Sequence, residues 1–483
     1  MSFFFKDISS ENYFIVEKVY RSLLPPVENT SVKVAGKPGA YPQKTELGIR
    51  KHTFVIRMRK DNIDDLNGTI RTVASWLFSE APEKLRLAKE PDKYYYAKLD
   101  GDTDLEEIVK IGKGSLTFIS EDPIAYDQIE TLIPVSAGTA SAPVSVGGTY
   151  KSFPIVRATF NQPSTFFSYG TDNPWEQVLL GKAVEMGQEN AVPSETKVYD
   201  DNGETMNGWS ATGVSIEETI SGSMTATGNN FTYSSMGTGT AWHGPAVKRA
   251  LAEPLDNWRV DVYFQFKLPV AKDMAQLALY LYDVNSNVIG KIQIYDAWVG
   301  QRDTHGMIRL GNRATGHHMI NWHGIRPGVW NDFWGLFRLE KNGRNFHAYI
   351  GKVDPVTRKH HTRANVTFYD AKDEFQADLA QIGMFIGAFG NYTYPNTDRL
   401  FIEGVHIYRK NPVGATEVPY IVEAGDVLEF DHYTKSILKN GEPFKQRLSP
   451  YSRMFALEPG TTSFGFQPSD LADIEISYRN RWL

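Results

Sequence analysis

Apolar and polar residues alternate in many short runs along this chain, and one stretch near the start carries a helical period instead. Residues 52–59 alternate in the manner of a half-buried strand. Leu66, Ile70, Val73, Trp76 and Leu77 recur at three- and four-residue steps, which predicts a helix over 64–78. Strand patterning returns at 93–99, followed by an Asp100-Gly101 turn, and at 115–119, and Pro123 ends the pattern. The first unit therefore reads as α+β, strands around one main helix.

Residues 131–149 are rich in Ser, Gly, Ala, Thr and Pro and read as a linker. Strands follow at 153–160 and 175–180. The composition then changes. Ser, Thr and Gly dominate 210–240, and long alternating strands run at 259–267, 276–282, 288–295, 332–339, 344–350, 380–387 and 400–408. Turn signals such as Asn342-Gly343 separate several of them, a pattern that predicts a sandwich of two antiparallel sheets. After Asn411-Pro412 the pattern of 150–180 resumes, with a strand at 426–431, a hairpin turn at Asn440-Gly441 and a last strand at 474–483. The strands at 150–180 are too few to stand alone, and so are those at 417–483. The economical reading joins them into one domain with the middle block inserted in a surface loop.

Composition narrows the function classes. Of 483 residues, 41% are hydrophobic and 22% charged, as in a folded protein. The net charge of −6 leaves no basic footprint for nucleic acid or an anionic membrane. There is no cysteine, so disulfides, thiolate metal sites and Cys nucleophiles are excluded, which suggests assembly in a reducing cytosol. No apolar run is long enough to span a membrane. The apolar start is short and meets Asp7 and Glu11 at once, so no signal peptide is expected.

The ordered motifs resemble those of the distal tail proteins of siphophages. In the first unit they are Ala74-Ser75-Trp76-Leu77, Asp92-Lys93-Tyr94-Tyr95-Tyr96-Ala97, and Gly114-Ser115-Leu116-Thr117-Phe118 leading to Asp122-Pro123-Ile124-Ala125-Tyr126. Near the end they are Ala424-Gly425-Asp426, Lys439-Asn440-Gly441, Leu457-Glu458-Pro459-Gly460 and Tyr478-Arg479-Asn480-Arg481-Trp482-Leu483. The middle block resembles a concanavalin A-like or laminin G-like jelly roll, on its strand pattern and on Gly328-Val329-Trp330-Asn331-Asp332-Phe333-Trp334. The resemblance implies a mainly β chain with three parts. Residues 1–133 form a ring-closing tail domain. Residues 134–195 and 412–483 form a split galectin-like β-sandwich, and 196–411 an inserted lectin-like jelly roll. It also implies a hexameric ring at the tail tip of the virion. The implied partners are tail tube protein, baseplate proteins and host cell-wall polysaccharide. No cofactor is expected, with calcium in the insert kept as an option, since concanavalin-like domains can bind it.

A saccharide site needs flat aromatic faces for sugar C–H groups and polar side chains for the hydroxyls. The insert holds Trp209, Trp242, Trp258, Trp298, Trp322, Trp330 and Trp334. Its richest cluster, Asp296, Trp298, Asn321, Trp322 and His323, is the candidate carbohydrate site, taken to lie on loops. The competing reading makes these tryptophans core or rim residues. His305, His317, His318 and His323 lack metal-ligand spacing and are read as solvated loop residues, so no metal site is assigned. Asp283, Asn285 and Asn287 offer oxygens at alternate positions, as a calcium loop would, but the position favours a hairpin turn. Glu429 and Asp431 share one strand face, yet the Glu-x-Asp-x-x-Glu pattern of jelly-roll glycosidases is missing there. The expected function is structural and adhesive, not enzymatic. Two alternatives stand beside it: a cell-wall glycosidase acting in the insert, and a ring protein whose insert binds another tail protein.

Overall fold

The computed structural model describes residues 2–59, 66–101, 113–184, 191–414 and 416–483. The protein is mainly β, with an α+β first domain and a β-sandwich interrupted by an inserted jelly-roll sandwich. In the first domain the strands run side by side in the order Ile8–Ser9, Phe3–Phe5, Glu83–Leu87, Lys93–Asp100, Lys113–Ser120, Arg50–Met58 and Phe14–Arg21. The helix Leu66–Leu77 lays Val73, Trp76 and Leu77 onto a core of Phe3, Phe54 and Phe118, the face its three- and four-residue spacing predicts. Trp76 Nε1 donates to the Phe5 carbonyl at 2.8 Å, so burial of the indole leaves no orphan donor. The expected helix start at Asp64 lies outside the described residues.

The split sandwich joins strands from both sides of the insert. One sheet runs Thr131–Val135, Ala472–Tyr478, Ile155–Phe160, Val427–Asp431, Ser436–Lys439 and Glu442–Pro443. The other runs Ser141–Val146, Gly460–Gln467, Phe166–Asp172 and Trp175–Gly181. Between them Val156, Phe167, Tyr169, Phe430, Phe464 and Ile476 are fully or almost fully buried. The linker expected at 131–149 is instead two strands. Ala142, Val144 and Val146 face inward, while Ser141 and Ser145 face out and bond the hydroxyls of Ser463 and Thr461 at 2.8 and 2.9 Å. Small residues with strict alternation form a strand once a partner supplies the other wall of the core.

The terminal motifs meet in space. Ala125 pairs with Trp482 and Tyr126 with Arg481, so the last strand returns to the first domain. Trp482 Nε1 donates to Asp127 at 2.6 Å, and Arg481 reaches Asp122 at 2.8 Å.

The insert enters and leaves along adjacent strands. Ala191 pairs with Val418, and Glu195–Asp201 pairs with Leu400–Lys410. Its two sheets enclose one apolar core. One, the docked sheet, is ordered Ser223–Ala226, Phe231–Ser235, Leu400–Lys410, Trp258–Phe266, Phe333–Asn342, Asn345–Val353 and His360–Tyr369. The other, the open sheet, is ordered Thr219–Ile220, Trp242–Gly244, Leu379–Phe389, Ala275–Tyr282, Val288–Asp296, His305–Leu310 and His317–Trp322. Leu277, Leu279, Ile292, Ile294 and Ile308 point into the core from the open sheet. Their strand neighbours therefore point to its outer face.

The outer face of the docked sheet meets the split sandwich. Arg338 forks onto Asp261 at 2.7 and 2.9 Å and reaches Glu442 of the sandwich at 2.7 Å. Lys359 bonds Glu429 at 2.5 Å, and His360 N–H donates to the Gly441 carbonyl at 3.0 Å. Gly441 has φ +83°, and a Cβ there would lie 2.1 Å from the Arg358 carbonyl oxygen. Only glycine fits both the turn and the approach of the insert.

Candidate functional site

The outer face of the open sheet is polar and aromatic, and part of it is already covered. The segment 214–218 lies across Ala278, Tyr280, Tyr282 and Phe385, with Val214 and Ile216 packed on them. Its Glu218 accepts from Lys291 at 2.6 Å and from Tyr280 at 2.5 Å, and its Glu217 pairs with Arg309. Burial works to raise the Glu217 carboxyl, but Arg309 and Lys291 together hold it below the usual carboxylate range. Glu217 is therefore charged, unlike a general acid, which needs a raised pKa, and Glu218 is tied down by its two donors.

At the other end of the sheet the described residues leave the face partly exposed, although the His305 side chain is only 16% exposed. Trp298 is 36% exposed and stacks on His305, ring centres 4.1 Å apart, and Tyr295 lies 6.0 Å from Trp298 and 5.5 Å from His305, so the three rings form a triangle. Tyr295 donates its hydroxyl to Asn321 Oδ1 at 3.2 Å. Tyr295, His305 and Asn321 come from three neighbouring strands, on outward-facing positions that alternate with core residues. Together they make a shallow plate of ring faces beside an amide, the combination that contacts a sugar's C–H face and hydroxyls.

The remaining candidates separate into different roles. Asp296 is fully buried, and its carboxylate accepts the N–H groups of Trp298 at 3.1 Å and Asp303 at 2.8 Å. Burial raises its pKa. It closes the 297–303 loop and so presents Trp298, rather than facing a ligand itself. Trp322 is 40% exposed but ends its strand with the parity of core residue Ile320, on the opposite side from Asn321. His323 leans on Asp303, Nδ1 to Oδ2 3.0 Å. Asn321 and Trp322 lie at a strand end and not in a loop, because the short strand His317–Trp322 pairs along His305–Leu310. That pairing also places His305, His317 and His318 on strands instead of loops.

The other tryptophans serve structure. Trp258 and Trp330 are buried in the core, Trp209 Nε1 donates to Asp201 at 3.0 Å, and Trp334 Nε1 donates to Glu403 at 2.5 Å. The motif around Trp330 acts locally: Asn331 accepts from Thr304 N–H at 3.1 Å and donates to the Arg302 carbonyl at 2.7 Å, fixing the loop beside the plate. Asp283 spends its carboxylate on Asn285 and Asn287 within a hairpin turn. Glu429 is paired with Lys359, and Asp431 accepts from the N–H groups of Tyr433 and Thr434. Sequence reasoning missed Tyr295 and the positioning role of Asp296. The outward parity of 291, 293 and 295 carried the first signal.

Comparison with known proteins gives two family matches in order along the chain. Residues 6–120 match the phage tail protein RIFT-related domain, and 390–482 match the siphovirus-type tail component, C-terminal domain. The second match begins inside the insert, whose last strand, Leu400–Lys410, pairs with Trp258–Phe266. No curated protein matches the chain. Among solved structures it is similar to the Dit protein of phage SPP1, at 19% identity over 38% of this chain and 74% of that one, TM-score 0.32. It is also similar to the CBM2 module of the evolved Dit of Lactobacillus casei BL23 phage J-1, at 9% identity over 46% of this chain and 100% of that one, TM-score 0.39. A third is SCLam, a family GH16 endo-β-1,3(4)-glucanase, at 11% identity over 52% of this chain and 97% of that one, TM-score 0.31. With its first domain and its C-terminal domain both matched, and a second sandwich set between them, the chain belongs to the siphovirus distal tail protein family and is a phage tail component.

Proposed function

We propose that this tail component closes a ring at the end of the tail tube, a hexamer as in the family it resembles, and grips host cell-wall saccharide through its insert. The observation that carries the adhesive half is the plate of Tyr295, Trp298, His305 and Asn321, open on one sheet of a sandwich whose other sheet is occupied. Saccharide contacts of this shallow kind are weak singly, and a ring multiplies them through avidity. The exposed hairpin of Val27–Val32 and Tyr41–Leu47 gives the first domain an arm for a neighbouring subunit. The carboxylates of this face support binding rather than hydrolysis: Glu217 and Glu218 are held in ion pairs, Asp296 is spent on backbone N–H groups, and Asp303 is bonded by His305, His323 and the Gly328 N–H. Assembly in the host cytoplasm before virion release fits the absence of cysteine.

The test is titration of the full-length protein against wall polysaccharide purified from a susceptible host, with free sugars as competitors. Saturable binding that a constituent sugar competes supports the reading, and no binding by a correctly folded ring contradicts it. Release of reducing ends from the same polysaccharide would favour the glycosidase instead.

A further inference from the structure

Three side chains at the edge of the aromatic plate, one of them its own His305, converge on a common point. Asp303 lies in the loop that Asp296 closes, His305 opens the next strand, and His323 follows the strand His317–Trp322. His305 Nε2 is 3.3 Å from Asp303 Oδ2, and His323 Nδ1 is 3.0 Å from the same oxygen. One ligand atom from each of the three lies within 4.8 Å of the others. We propose that Asp303, His305 and His323 form a binding site for one divalent transition-metal ion of the zinc class.

The chemistry of the donors selects the ion. Two imidazoles and a single carboxylate suit zinc, cobalt or nickel, whereas calcium and magnesium take mostly oxygen. Zinc holds such ligands at about 2.0–2.2 Å, which sets neighbouring tetrahedral ligand atoms roughly 3.3–3.6 Å apart. The Asp–His separations of 3.0 and 3.3 Å already lie near that span, and rotation of His323, with a third of its side chain exposed, closes the remainder. Three protein ligands leave a position open to water or to an incoming oxygen.

The surroundings hold the ligands in place before any ion arrives. Gly328 N–H donates to Asp303 Oδ1 at 3.1 Å, and the Asp303 N–H is anchored on buried Asp296. The Trp298 ring stacks on His305 and limits its rotation. Outer partners of this kind orient metal ligands and tune their affinity. On binding, the metal takes the lone pairs of His305 Nε2 and His323 Nδ1, and each ring then carries its proton on its other nitrogen. No redox step or co-reactant is involved. The inference does not depend on the saccharide reading, and its readout is the metal itself.

The experiment uses the full-length chain without a histidine tag, freed of metal with a chelator and titrated with Zn²⁺ and Co²⁺. The expected result is one equivalent bound per chain, a visible Co²⁺ absorption band, and a melting temperature that rises with metal and falls back with chelator. His323→Gln and Asp303→Asn are each expected to weaken binding at least about tenfold. Metal-free circular dichroism checks that both variants fold. Should Asp303→Asn misfold, His323→Gln carries the test. Absence of saturable binding below about 1 mM overturns the proposal. Undiminished binding in the folded variants also overturns it, because the ion then sits elsewhere, as at His317 and His318 or His360 and His361.

Discussion

The two outer faces of the insert start from the same plan and end with opposite roles. Each belongs to an antiparallel sheet whose inner residues fill one shared core, and each displays polar and aromatic side chains at alternate positions. On the docked sheet those side chains are charges paired with one another: Asp261 with Arg338, Arg338 with Glu442, and Lys410 with Glu195 and Glu340. On the open sheet the uncovered end displays rings, an amide and two imidazoles. Paired buried charges fix one geometry and become costly when separated, which suits a permanent joint. Aromatic faces keep their attraction for apolar surface without a fixed partner, which suits a reversible one.

The sharpest way to break this contrast is to remove one charge from the joint. Asp261 is almost fully buried, and Arg338 and Arg259 hold its carboxyl below the usual range against the effect of burial. Arg338→Ala is expected to destabilise the insert and its docking by up to about 3–5 kcal/mol, since it removes both hydrogen bonds of the fork and leaves the buried carboxylate only Arg259, at 3.4 Å. Urea unfolding of the variant against the parent measures this, and a change below about 1 kcal/mol would mean that the joint is not built on that pair.

A second contrast lies in the histidines. His432, in the split sandwich, accepts Phe455 N–H on Nδ1 at 2.9 Å, so its proton sits on Nε2, which donates to Tyr169 at 2.7 Å. Burial lowers its pKa to about 4. His52, in the first domain, is also lowered to about 4, by burial and then by Arg50. Both are neutral when folded and have a pKa near 6.5 when unfolded, so the unfolded chain binds protons first as the pH falls. Each therefore contributes stability that is present above pH 6.5 and lost on the way to pH 4, up to about 3 kcal/mol apiece. Hydrogen exchange at pH 7 and pH 5 should show protection falling in both of these domains. His432→Gln, although less stable at pH 7, should show a smaller further fall in the split sandwich.

The smallest effect is expected at the rim of the joint. Lys359 pairs with Glu429 but is nearly half exposed. Lys359→Ala should change stability by less than about 1 kcal/mol, the ordinary worth of a surface ion pair, by the same urea measurement. A larger loss would extend the buried joint to its edge.

Much of the architecture was legible because alternation survives in single strands. The runs at 259–267, 276–282 and 288–295 became Trp258–Phe266, Ala275–Tyr282 and Val288–Asp296. Strands of weak composition were not legible. Ser141–Val146 looks like a linker until Gly460–Gln467, more than three hundred residues later, supplies its partner. The candidate site was legible in part for the same reason. Trp298 and Asn321 stood out as residue types, but their common face depends on the pairing of His305–Leu310 with two other strands. Asp296 looked like a ligand-binding carboxylate, and only its backbone partners reveal that it shapes the loop. The convergence of Asp303 with His305 and His323 has no local spacing signal, because the third residue arrives from the neighbouring strand.

The division into a docking face and a binding face is tested most directly by one affinity comparison. The full-length protein, Trp298→Ala and Lys359→Ala are titrated against the same purified wall polysaccharide, with each fold verified beforehand. Trp298→Ala should bind about tenfold more weakly or worse, a loss of about 1.4 kcal/mol, while Lys359→Ala on the docked side binds as the parent does. Equal affinity in Trp298→Ala, or a loss confined to Lys359→Ala, would contradict the account.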